Sequence, residues 1–196
     1  MKNLPNILSA LRIVLAPVFL YMYLQGGLVW GGLSILVFTI AAITDFFDGH
    51  YARKYQIETP LGVFLDPLAD KFLTFSAFIV LPFVDPTQFP WWAVIAIIIR
   101  DVFMTTLRIY AKRKKILMKT RYTAKTKTTI QLVFLYIALL LGLFQGTGNI
   151  IATWAEIILD TGIMFYLMMF VTFITVYSAV EYVFANKNIF KRTLEE

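Results

Sequence analysis

Six stretches of this sequence are apolar for about as long as a helix needs to cross a bilayer: 11–25, 32–53, 61–83, 91–111, 126–145 and 154–184. A hydrocarbon layer of ~30 Å takes about 20 helical residues, and an unbroken helix satisfies its own backbone polar groups there. Gly/Pro turns separate the runs at Gln25–Gly32, Val84–Pro90 and Gly146–Asn149, and none of these three loops contains Lys or Arg. The alternate connections are basic: one follows the second run, and a second extends from Lys112 to Lys127. The tail adds Lys187, Lys191 and Arg192. Cationic loops stay on the cytoplasmic side. The expected architecture is therefore an all-α integral membrane protein, one domain over 1–196, with both termini in the cytoplasm.

Composition supports the same class. Hydrophobic residues make up 59% of the chain and charged residues 15%, where soluble domains carry about a quarter charged. The net charge of +6 invites a nucleic-acid reading, but all 18 Lys and Arg can be assigned to one membrane face, as the topology already requires. There is no cysteine and the only histidine is His50, an ordinary interfacial residue, which excludes thiolate chemistry and histidine-rich metal cages. What remains is carboxylate, hydroxyl and cation chemistry.

The N-terminus, NLPNILSALRIVLAP, opens on a helix-start signal, and Leu4, Ile7, Leu8 and Leu11 share a helical face. The expectation is a short amphipathic helix lying at the cytoplasmic interface ahead of the first span. No small-residue cleavage site follows the apolar run and Pro17 interrupts it, so the segment is expected to be retained rather than removed as a signal peptide. Trp30, Trp91, Trp92 and Trp154 fall near predicted span ends, as interface anchors do.

Against this background the stretch TDFFDGHYARKYQIETPLGVFLDPLADK, Thr44 to Lys71, is costly. Asp45 and Asp48 are three positions apart and share a helix face; Gly62, Asp66 and Asp70 recur every fourth position on the next helix. Two helices joined by a short turn can aim four carboxylates at one another just inside the cytoplasmic boundary. Such carboxylates repel unless cations intervene. Oxygen ligands without His or Cys suit Mg²⁺ or Mn²⁺, and paired ions of this kind serve reactions at phosphate. The competing reading makes the aspartates ion-pair partners of Arg53, Lys54 and Lys71, but four intramembrane acids exceed what a structural role needs.

The spacing Asp45-x2-Asp48-Gly49-x2-Ala52-Arg53-x8-Gly62-x3-Asp66-x3-Asp70 resembles, at every fixed position, the signature of the CDP-alcohol phosphotransferase family. The resemblance covers nearly the whole chain. It implies that Asp45, Asp48, Asp66 and Asp70 ligate two Mg²⁺ ions, and that Asp70 is also the general base toward the acceptor hydroxyl. It further implies that Gly49, Ala52, Arg53 and Gly62 fit the CDP moiety. The implied reaction is attack of an alcohol on the phosphorus next to diacylglycerol in CDP-diacylglycerol, with loss of CMP. The family also implies a homodimer.

Three segments resemble the branch of that family whose acceptor is glycerol 3-phosphate. They are LPNILSALRIVLAPVF, with Ser9 where Thr is common; IIIRDVFMTTLR, with Asp101 where Glu is usual; and TAKTKTTIQ, with Ala124 where Gly is usual. A phosphorylated acceptor needs cations, and Arg108, Lys125 and Arg121 are the candidates. Arg113, Lys114 and Lys115 read instead as cytoplasmic-face charges. Arg100 sits well inside a span, and as its helix neighbour Asp101 is not expected to face it. Serine or an inositol phosphate as acceptor, and a cation-coupled transporter, are the alternatives. A multi-pass protein of the bacterial inner membrane with a cytoplasmic active site is expected.

Overall fold

The computed structural model describes the backbone of residues 4–55, 60–113 and 123–186, and the side chains of 7–44, 68–69, 71–111 and 128–186. The described residues form helices α1 (Leu4–Leu24), α2 (Leu28–Tyr55), α3 (Pro60–Val84), α4 (Trp91–Arg113), α5 (Thr123–Phe144), α6 (Ile150–Asp160) and α7 (Ile163–Ala185). No strand occurs among them, so the all-helical expectation holds. Two segments, Ile7–Leu24 and Ile163–Ala185, are each long and apolar enough to cross a membrane; shorter apolar stretches occupy Leu28–Thr44, Lys71–Val84 and Thr128–Phe144.

Two expected boundaries are corrected. Residues 4–24 make one helix with Pro17 inside it, not an interfacial helix followed by a span. The cause is visible in the burial: Ser9 and Arg12 are 0% and 1% exposed, whereas Ile7 and Leu11 are 60% and 43% exposed. The polar side of this segment is its bundle side, so nothing holds the segment flat on an interface. The run expected at 154–184 is likewise two helices. Thr161 and Gly162 separate them, with Gly162 at φ +74°, a backbone state glycine adopts without a Cβ penalty. Gln88, from the loop before α4, caps the new start: its side-chain oxygen accepts from the Phe165 amide at 3.0 Å. At 1.5 Å per residue α6 is about 16 Å long, too short to span.

The core is aromatic and aliphatic. Phe19 of α1 meets Phe38 of α2 with ring centroids 5.2 Å apart, and Phe38 meets Tyr136 of α5 edge-on at 5.3 Å. Leu81, Phe89, Ile97, Leu135 and Leu139 fill the space between α3, α4 and α5, and Met168 and Val171 bring in α7. Small and polar side chains also point inward: Ser34, Ala41, Ala69, Ser76, Ala77, Gln131, Thr172 and Thr175. Large apolar groups point outward on every long helix, among them Val14, Ile40, Phe72, Ile99, Val133 and Phe173. A soluble protein would reverse this arrangement. Small interior residues with an apolar exterior are what helices adopt when packing, not water exclusion, brings them together.

Candidate active site

Asp45 and Asp48 lie on α2 and Asp66 and Asp70 on α3, each within about three turns of the α2–α3 connection. Gly49, Ala52 and Arg53 follow on the last turns of α2, and Gly62 stands in the first turn of α3. The side chains of all eight positions lie outside the described residues, as does that of Lys125, while Arg121 lies outside them altogether. The expected face-sharing of the four carboxylates thus stands on helical periodicity alone.

What the structure does describe is the polar layer beside them. Lys71, one position past Asp70, places its Nζ 2.9 Å from Asp101 Oδ2 on α4. Arg100 Nη1 donates to Asp101 Oδ1 at 2.7 Å, and its Nη2 donates to Ser178 Oγ of α7 at 2.6 Å. Ser178 donates its own hydroxyl proton to the Thr175 carbonyl at 2.9 Å, and Gln131 of α5 donates to Thr175 Oγ1 at 3.1 Å. Four helices, α3, α4, α5 and α7, are tied by these side chains, and the links between helices are ones the sequence does not report. On α1, Arg12 Nη2 donates to Ser9 Oγ at 3.4 Å.

The expectation that Arg100 cannot meet Asp101 is therefore overturned. Adjacent Cβ atoms do diverge by about 100°, but a guanidinium on a long stem curls back around the helix and closes the contact. With Asp101 only 1% exposed, the low dielectric makes the pairing worth the bend. The sequence signal was present, since a buried span carrying Arg-Asp needs an internal counter-charge, and Lys71 was the nearest candidate. Lys71, the residue after Asp70, directs its ammonium to Asp101 on α4.

Arg108 is on the exposed side of α4, with its Cζ 5.7 Å from the centre of the Tyr182 ring, a cation–π arrangement that steadies the guanidinium without burying it. It remains able to receive an anion. Among the described side chains no three acidic or imidazole groups cluster, and the four candidate aspartates lie outside that set. An oxygen-only donor set fits Mg²⁺. A cleft of about 490 Å³ lined by Tyr23, Gly31, Val84, Gly142 and neighbouring residues lies at the other end of the helices, away from the aspartates, and is no part of this site.

The family model for CDP-alcohol phosphatidyltransferase matches residues 2–185. The chain belongs to that family. Among curated relatives, the CDP-diacylglycerol–glycerol-3-phosphate 3-phosphatidyltransferase of Rickettsia typhi is 36% identical over 179 residues, covering 91% of this chain and 95% of its own length. The protein of the same name from Cereibacter sphaeroides is 38% identical over 149 residues, 74% of this chain. A probable phosphatidylglycerophosphate synthase of Mycobacterium tuberculosis is 39% identical over 134 residues, 67% of this chain. The chain spans slightly under two thirds of these last two relatives, 65% and 63%. As a CDP-alcohol phosphatidyltransferase, it carries the motif that the resemblance identified on the two helices flanking the connection at 56–59.

Proposed function

We propose that this chain transfers the phosphatidyl group of CDP-diacylglycerol to a hydroxyl of glycerol 3-phosphate, forming phosphatidylglycerophosphate and releasing CMP. The observation that carries this reading is the likeness to the Rickettsia relative, which bears that activity in its name and aligns over 91% of this chain. In this reading Asp45, Asp48, Asp66 and Asp70 hold two Mg²⁺ ions, with Mn²⁺ able to substitute. Bound there, the ions would neutralise the diphosphate and stabilise the departing CMP. Asp70 takes the proton of the acceptor hydroxyl as it attacks phosphorus, since that hydroxyl is a poor nucleophile at neutral pH. Gly49, Ala52 and Gly62 leave room for the nucleotide, and Arg53 lies near its phosphates. Arg108, Lys125 and Arg121 receive the phosphate of the acceptor. The exposed, stacked Arg108 supports that assignment, because an aromatic ring holds its charge in place without neutralising it.

The reading also places α1 to α5 and α7 across the membrane as six spans, with α6 lying along the far interface. Trp30, Trp91 and Trp154 support this, since all are exposed: Trp30 and Trp91 stand at the starts of α2 and α4, the ends joined to loops without Lys or Arg, and Trp154 stands in the second turn of the short α6. The aspartate ends then face the cytoplasm of a bacterial inner membrane, and the chain works as a homodimer. Purified protein given CDP-diacylglycerol, Mg²⁺ and a panel of alcohols is expected to release CMP fastest with glycerol 3-phosphate. Faster release with serine or an inositol phosphate would overturn the acceptor, and no CMP release with any alcohol would overturn the reaction.

A further inference from the structure

Among the described side chains of α3, those buried around Lys71 are Ala69 and Leu73, with Ser76 and Ala77 beyond them, while the bulky Phe78 and Leu81 are buried about two turns or more away. A stretch of this kind allows close approach but interlocks little, so the end of α3 that carries Asp66 and Asp70 is held less firmly by packing than the end that carries Phe78. One polar contact breaks that smoothness. Lys71 reaches Asp101 Oδ2 at 2.9 Å, while Arg100 holds Oδ1 at 2.7 Å and is itself held by Ser178 at 2.6 Å. The two oxygens of one buried carboxylate thus take two cations from different helices, and α7 braces the second. Buried polar contacts of this kind are best attested as devices that set register.

We infer that the Lys71–Asp101 pair is a positioning device that fixes the rotation of α3, and with it the placement of Asp66 and Asp70. The inference rests on the functional reading above, in which those two aspartates are metal ligands. The geometry explains why the pair is placed where it is. Position 71 is about 100° around the helix from position 70, so α3 is anchored on one side while position 70 faces elsewhere. A carboxylate stands about 6 Å from a helix axis, so a slip of α3 by about 10° would move it by about 1 Å. Misplacement on that scale costs on the order of 100-fold in rate. Loss of a group that orients metal ligands costs roughly 10–100-fold in metal affinity or activity. Lys71 is therefore a positioning residue, acting on the aspartates through the helix they share.

The test is a Mg²⁺ titration of CMP release from CDP-diacylglycerol and glycerol 3-phosphate by the purified full chain. The wild-type titration comes first and bears on the functional reading alone: absence of Mg²⁺-dependent CMP release defeats that reading before any variant is made. Lys71→Met is the informative change, because Asp101 keeps its contact with Arg100 and no buried carboxylate is stranded. Its Mg²⁺ half-saturation is expected to rise about tenfold. Lys71→Arg, which retains an N–H for Asp101, is expected to stay within about threefold of wild type. Lys71→Gln, one bond too short to close the contact, gives the same reading as methionine should the latter fail to fold. Half-saturation does not depend on the fraction of protein folded, so a merely structural role would leave it unmoved. A shift of less than about threefold in the methionine or glutamine variant, whatever happens to total activity, overturns the inference.

Discussion

Gly142, near the end of α5, faces Tyr23 of α1 and Val84 of α3 at close range, and replacing it with alanine tests how tight that crossing is. A Cβ built there stands 2.5 Å from Tyr23 Oη and 2.7 and 2.8 Å from the two γ carbons of Val84. Ordinary carbon contacts lie at about 3.5–4.0 Å, so three overlaps of about 1 Å arise at once. Rotating Val84 exchanges one methyl for the other. Moving Tyr23 endangers its 2.8 Å hydrogen bond to the Leu139 carbonyl, worth about 1 kcal/mol. Overpacking costs about 1–3 kcal/mol, and the gain from replacing a helical glycine returns at most about 1 kcal/mol. The net loss is roughly 1–3 kcal/mol, or a melting point lowered by about 2–4 °C per kcal/mol for a chain of this size. Gly32→Ala on α2 is the matched control: nothing lies within 4 Å of its Cβ, so it should melt at or above wild type. Thermal unfolding of the three purified proteins in one detergent reads both. The cleft of about 490 Å³ that borders Tyr23, Val84 and Gly142 supplies the rival outcome, since it offers room for relaxation. Were Gly142→Ala to melt no lower than wild type, Tyr23 and Val84 must have moved into that space, and the crossing is not a rigid contact.

Three further outcomes concern the polar layer and the site. Asp101→Asn should melt well below Lys71→Met, by about 3–5 kcal/mol in stability, because it leaves the partly buried Arg100 and Lys71 without their shared carboxylate; equal melting points in the same detergent would mean the layer is wetter than its burial implies. Arg108→Ala should raise the KM for glycerol 3-phosphate with little change in kcat, as expected when uniform binding is removed, and an unchanged KM in steady-state CMP release would exclude it from the acceptor pocket. Asp45→Ala, Asp48→Ala and Asp66→Ala should each abolish turnover at a Mg²⁺ level that saturates wild type, and full activity in any of them under that assay would remove that residue from the ligand set.

The helical class, the position of four of the seven helices described (α2 to α5) and the identity of the family were all legible in the sequence, and for different physical reasons. Apolar runs must be helical in lipid, and they are broken at Gly26–Gly27, both with positive φ, and in the proline-bearing stretch Val84–Pro90, although Gly31 and Gly32 continue α2. The aspartate motif is local, fixed by spacing along two helices. What stayed hidden was either conformational or long-range. The break at Thr161–Gly162 lies within a long apolar run with Asp160 as its one charged neighbour, and averaged hydropathy carries no information about a single positive φ. The ties from Lys71 to Asp101 and from Arg100 to Ser178 join residues 30 and 78 positions apart, and no periodic pattern within one helix reports them.

The N-terminal segment exposes a more general point about direction. Leu4, Ile7, Leu8 and Leu11 share a face, and the usual inference from such a stripe is that it turns toward other protein or down into an interface while the polar face meets water. Here Ile7 and Leu11 are outside, and Ser9 and Arg12 are inside against neighbouring helices. The period was read correctly and its sign was not. In lipid the cheap exterior is apolar, and an arginine finds hydrogen-bond partners only inside the bundle, as Arg12 does with Ser9 and Arg100 with Asp101 and Ser178, so an amphipathic stripe in a spanning helix marks the outer surface of the bundle. Applied to the rest of the chain, the same rule picks out Arg100, Asp101, Gln131 and Ser178 as interior positions from residue type alone. Those are the residues that join α4, α5 and α7 beside the helix carrying Asp66 and Asp70.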